Sequence, residues 1–130
     1  MQALCVRQPF AELIARGIKK WEIRSWRYDP PPSPLLIVAS SQWAVGRHPF
    51  MERYGLTDAD CPRGLAVCTV DVVQYKQTSE GFSRAACCDV SDFSIAWVLR
   101  NPRRVQPEKV KGRLMLFEVD DKLIRRAGSR

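Results

Sequence analysis

The spacing of apolar residues changes along this chain, and each change marks an element. Met1 to Val6 is short and apolar and predicts an opening strand. Gln8-Pro9 then starts a helix, since proline's missing N–H is no loss in a first helical turn. Phe10, Leu13 and Ile14 recur at i, i+3 and i+4, which gives that helix one buried stripe. Gly17 closes it as a left-handed cap. From Lys20 to Trp26 the period drops to two, and a strand is predicted. Its alternation puts Trp21, Ile23 and Ser25 on one face, with the Trp21 and Ile23 side in the core. Lys20, Glu22, Arg24 and Trp26 fall on the other.

The proline-rich stretch Tyr28 to Pro34 reads as a loop. Leu35 to Ala39 (LLIVA) is a continuous apolar run with the look of a buried strand. Ser40, Ser41 and Gln42 lead toward a helix in WAVGRHPFMERYG, with one serine as N-cap and with Gly46 and Pro49 interrupting it. Thr57 to Arg63 is a loop, and Gly64 to Tyr75 is the longest β-rich run. Lys76 to Ser91 is polar and irregular and predicts a mobile loop. Asp92 to Leu99 reads as a short helix or turn, and Leu114 to Val119 as a final strand. Asp120 to Arg130 begins a short helix and then frays. Five or six strands, two or three short flanking helices and no βαβ rhythm define an α+β chain with a mostly antiparallel sheet. The expected organisation is one domain over residues 1–130, with 121–130 as a frayed tail.

Composition adds a sign to this picture. Among 130 residues, 21 lysines and arginines face 14 aspartates and glutamates, a formal net charge of +7. That excess suits anionic partners such as RNA, DNA or nucleotides, although a solvated basic surface gives the same number. The five cysteines form no C-x-x-C pair, and Cys87 and Cys88 are adjacent, which suits neither an ordinary disulfide nor a zinc knuckle. No metal and no cofactor is expected. The N-terminal residues lack a signal-peptide core, and no apolar run approaches the roughly 20 residues of a membrane span. A reduced, cytoplasmic protein without membrane contact is expected, as a monomer or weak dimer.

The chemistry concentrates in G-x-K-x-x-E-x-R, carried by Gly17, Lys19, Glu22 and Arg24. Gly17 lets the chain turn sharply from helix to strand. Lys19 sits at the turn, free to project into a cleft. Glu22 and Arg24 share a strand face about 7 Å apart at two residues' rise. A buried Glu22 needs cationic partners, and Lys19 and Arg24 are the nearest. Such a trio either lines a polar pocket or braces the sheet as a salt-bridge network, and the two roles are compatible.

With the preceding R-Q-P, the following LLIVAS and the distal WVLRNPRRV and VKGRLMLFEV, this motif resembles the ASCH domain family. The resemblance implies a PUA-like β-barrel with a cleft, and recognition of RNA or nucleosides. Some members remove an acetyl group from modified cytidine, and ribonuclease activity has been proposed for others. The deacetylating members carry threonine where this chain has Glu22, and that departure places binding ahead of catalysis.

The candidate ligand site is therefore Lys19, Glu22, Arg24, Trp26, Ser40 and Ser41, with Trp26 offered as a stacking platform for a base. Trp43 is a candidate pocket wall. Arg100, Arg103, Arg104, Lys109, Lys111 and Arg113 form a late basic stripe suited to phosphate contacts. The alternative reading is a hydrolase in the same cleft: an amidohydrolase on N4-acylated cytidine, or a metal-independent ribonuclease. Lys19 would stabilise an oxyanion and Glu22 would act as general base. A histidine-based ribonuclease is disfavoured by the single His48, and a metal nuclease by the lack of an acidic cluster.

Overall fold

The computed structural model describes residues 1–127. Six strands make one curled sheet: β1 (Gln2–Gln8), β2 (Trp21–Arg24), β3 (Leu35–Trp43), β4 (Leu65–Gln77), β5 (Ile95–Arg104) and β6 (Leu116–Glu118), in the order β2-β5-β4-β3-β1-β6. All neighbours are antiparallel except β1 and β3, where Ala3 pairs with Leu36 and Val6 with Ala39. The result is an α+β, PUA-like half-barrel.

Helix α1 (Phe10–Ala15) packs its apolar stripe on the concave face, and α2 (Arg47–Arg53) follows β3. The LLIVA run is continuous because β3 is buried on both sides. Leu35, Ile37 and Ala39 join the cluster under α1, with Leu4, Ile14 and Trp97. Leu36 and Val38 join a second cluster with Ala3, Val105 and Val119.

Several expectations are corrected. β5 starts at Ile95, where a short helix or turn is expected from Asp92 to Leu99. Its central place between β2 and β4 buries both faces, and the resulting run of apolar residues carries no period to read. Lys76 to Ser91 is structured: β4 continues through Gln77, and residues Gly81–Ser83 pair with Cys88–Val90 as a small hairpin. The hairpin is tied to the motif strand through the Ala85 carbonyl, which accepts the N–H groups of Lys20 (2.7 Å) and Trp21 (3.0 Å).

β3 runs on through Ser40 and Ser41 to Trp43, so neither serine caps a helix. Gly46, left-handed at φ 68°, precedes α2, and Pro49 sits harmlessly in its first turn. β2 ends at Arg24 rather than Trp26, and Trp21 and Ile23, expected in the core, are half-buried like Arg24, while Glu22 is buried. The tail is tied down as far as it is described. A 3-10 turn spans Asp121–Leu123, Val105 bridges Arg126, and the Ala127 N–H donates to the Arg104 carbonyl at 3.0 Å. The remaining part of the expected fray, 128–130, lies outside the described residues. No helix among the described residues is long and apolar enough to cross a membrane.

Candidate nucleic-acid cleft

The motif is built by the end of α1. Gly17 takes φ 75°, a left-handed conformation that side chains resist. Its N–H donates to Ile14 and that of Ile18 to Leu13, both at 3.0 Å, the paired bonds of a Schellman turn. The turn delivers Lys19 to the floor of a cleft of about 1010 Å³. The ends of β1 and β3, strand β2 and the segment Lys109–Met115 form its walls.

Lys19 lines this cleft but is not free, as the sequence suggests. It is only 3% exposed. Its Nζ donates to the Ala86 carbonyl of the hairpin, lies 3.8 Å from Glu22 Oε1 and sits 5.1 Å from the centre of the Phe10 ring. Glu22 Oε2 accepts from Arg24 Nε at 2.9 Å and pairs with its Nη2 at 2.8 Å. Arg24 Nη2 also donates to the Cys5 carbonyl at 2.8 Å, which ties the trio to β1. Both carboxylate oxygens thus face cations, the condition for burying a carboxylate. The trio braces the sheet and forms the cleft floor at once.

Ser40 and Ser41 line the cleft as expected. Ser40 Oγ accepts the Gln42 N–H at 3.1 Å, and among the described residues no hydroxyl is bonded to Lys19 or Glu22. Trp26 is elsewhere. With β2 finished at Arg24, alternation no longer places it, and it packs edge-on to Trp97 at 5.0 Å while its carbonyl accepts from Trp97 Nε1 at 3.0 Å. Trp43 stands outside the lining, beside Arg47 and Arg63.

The basic stripe divides. Lys109, Lys111 and Arg113, all exposed, line the same cleft as the motif. Arg103 is held by Asp71 at 3.2 Å. Arg104 Nη1 donates to Glu12 Oε1 at 2.8 Å and Nη2 bonds Glu12 Oε2, beside Arg16 Nε at 2.8 Å. Arg100 is exposed at a separate small cavity with Gly17, Lys20 and Asn101.

Other lining residues escape the sequence reading. Arg7 donates to Gln42 Oε1 at 3.1 Å on the β1–β3 wall. It is the exposed residue between buried Val6 and Gln8, and its signals were strand alternation and its place in the R-Q-P before the motif. Val45, Leu114 and Met115 are exposed apolar residues on the lips. Gly112 has a packing reason: a Cβ there would lie 2.5 Å from Cys5 Sγ, so only glycine lets the basic wall rest on β1. Two thiols, Cys5 and Cys88, also line the cleft. Burial pushes both up, against lowering by Ser40 at Cys5 and by Lys19 at Cys88, so neither is activated as a thiolate. Among the described residues no three His, Cys, Asp or Glu side chains converge for a metal.

Fold, motif and cleft together describe a PUA-like module with a cationic groove. The family model described as ASCH domain matches residues 4–109, and the chain belongs to that family. It is 28% identical over 138 residues to Activating signal cointegrator 1 of Mus musculus, and 29% identical over 133 residues to that of Homo sapiens. Each comparison covers 92% of this chain, and the chain spans 22% of the length of those curated relatives. Among solved structures, ASCH from Zymomonas mobilis superposes with a TM-score of 0.64 at 14% identity, covering 93% of this chain and 88% of that one. A serine-to-alanine mutant of the Zymomonas mobilis protein gives 0.56 at 13% identity, covering 93% and 89%. At such identities the likeness is one of fold.

Proposed function

We propose that the cleft binds single-stranded RNA or a modified nucleoside. One observation carries this reading: Arg7, Lys19, Arg24, Lys109, Lys111 and Arg113 line a single groove against the lone carboxylate of Glu22 among the described residues. Such a groove concentrates anions. The exposed cations on the rim suit phosphates. The apolar lips at Val45, Leu114 and Met115 offer a face to a base that has left its stack. Membership of the ASCH family supports RNA as the polymer.

Binding is favoured over hydrolysis because Lys19 and Glu22 are spent on each other, on Arg24 and on the Ala86 carbonyl, and among the described residues no hydroxyl is aligned with either. Incubation with N4-acetylcytidine and with single-stranded RNA is expected to yield no product. Release of acetate or cleavage of the strand would reverse the preference.

The binding test uses exposed residues. Replacing Lys109, Lys111 and Arg113 together by alanine should weaken binding to a fluorescent oligoribonucleotide. It should also flatten the dependence of log K on log salt by about 2, at roughly 0.7 per lost contact on a single strand. An unchanged slope would remove the segment from the interface.

A further inference from the structure

Beside the cleft, Trp43 gathers two arginines. The guanidinium carbon of Arg47 lies 3.7 Å from the ring centre and that of Arg63 4.8 Å. Each is held by a second anchor. Arg47 Nη1 donates to Asp58 Oδ1 at 3.1 Å, and Arg63 Nη1 donates to the Ser41 carbonyl at 2.8 Å. The cluster thus keeps two like charges on one indole, with Asp58 as the carboxylate paired to it among the described residues. Stacking occupies the flat face of a guanidinium and leaves N–H groups on its edge for a pair of phosphate oxygens. Arg47 is mostly covered, with 20% of its side chain exposed, whereas Arg63 is exposed. The exposed arginine is therefore the one placed to meet a ligand, with Trp43 and Arg47 behind it.

Its position relative to the cleft is fixed by the chain. Arg63 precedes Gly64, which lines the cleft, and it bonds the carbonyl of Ser41, which also lines it. The Arg7–Gln42 pair is next along the same wall. A strand leaving the cleft over Ser41 meets Arg63 directly outside.

We infer that Arg63, backed by Trp43 and Arg47, is a phosphate site at the mouth of the cleft, and that the ligand is a phosphodiester-linked strand rather than a free nucleoside. This rests on the cleft binding nucleic acid at all, and narrows the substrate class within that reading. A free nucleoside is met by the cleft alone; the outer arginine has a function only when a further phosphate is covalently attached.

The test compares a mononucleotide with oligoribonucleotide and oligodeoxyribonucleotide probes of about eight residues. Arg63→Gln is expected to weaken both oligomers several-fold to about tenfold near 0.1 M salt, to lower the salt slope by about 0.7, and to leave the mononucleotide unchanged. Arg63→Lys, which keeps the charge but loses the flat stack, should recover part of the oligomer affinity. Circular dichroism of both variants checks that the fold is intact. The Lys111→Ala variant reports on the cleft itself and should weaken every probe.

If Arg63→Gln leaves the oligomers untouched while Lys111→Ala weakens them, this inference fails and the cleft reading stands. An equal loss for mononucleotide and oligomer would make Arg63 a support for the wall, and would overturn it too. So would an effect confined to one sugar type, because the phosphodiester is common to both. If no probe binds the wild-type protein, the cleft reading and this inference fall together.

Discussion

Glu12 and Glu22 are both buried carboxylates, yet they differ in what surrounds them. Glu12 is shared by Arg16 and Arg104, whose side chains are 37% and 45% exposed, so its partners keep contact with water. Glu22 has Arg24, 25% exposed, on one oxygen, but on the other it faces Lys19, which is sealed from water. Truncating Lys19 leaves a buried carboxylate short of one cation, a loss of about 3 kcal/mol. Lys19→Ala should therefore lower the urea midpoint clearly, and Lys19→Met, which refills the apolar volume over Phe10, should lower it less. Equal losses would show that charge and not packing sets the cost. Thiols give a second residue-scale expectation. Burial pushes Cys61 up to about 11 and Cys68 up to about 12, from an ordinary 9.0. Above pH 9 the unfolded chain ionises these groups while the folded one does not. Their contribution is whole below that pH and is lost as pH rises toward the folded values. Urea melts between about pH 8 and 11 should show falling stability, with a shallower fall in Cys68→Ala.

Elements show where sequence was a sufficient guide. Gly17 was legible as a helix end because a left-handed residue after an apolar stripe has few other uses, and the Schellman turn bears that out. The apolar run of β3 was legible because five such residues fit a doubly buried strand. β5 was not, because Ile95 to Leu99 is equally apolar and is preceded by polar residues that look like a helix cap. The hairpin at Gly81–Ser83 and Cys88–Val90 was not legible either. Its role is to offer the Ala85 and Ala86 carbonyls, and backbone acceptors leave no trace in side-chain identity. Lys19, Glu22 and Arg24, singled out by the G-x-K-x-x-E-x-R motif, do meet at the cleft floor, and Trp26 was misplaced by continuing an alternation beyond the end of its strand. Of the late basic cluster, Lys109, Lys111 and Arg113 reach the cleft, whereas Arg103 and Arg104 are taken by acids distant in sequence. The segment carrying those three cations rests on β1 through Gly112, and this makes an element-scale prediction. Gly112→Ala should lift the wall, cost about 1–3 kcal/mol and weaken ligand binding, while Cys5→Ala in the same chain should restore much of both. A fully additive double variant would show that the two residues do not press on each other.

For the molecule as a whole, the cleft joins two sources. Its floor belongs to the stretch matched by the family, residues 4–109, while the wall from Val110 to Met115 lies beyond that match. Both supply cations to the one groove, Lys19 and Arg24 from the floor and Lys111 and Arg113 from the wall. The same division follows the sheet. β1 lies between its parallel partner β3 and the short β6, which follows β5 and the basic wall in the chain.

That placement sets an order in time. A ribosome delivers β6 long after β1, so one edge of β1 waits unpaired while everything between them is made. The basic wall leads directly into β6 and is anchored by it. The motif strand waits as well, because its sheet partner β5 starts only at Ile95, and a nascent chain has no closed groove until Glu118 has emerged.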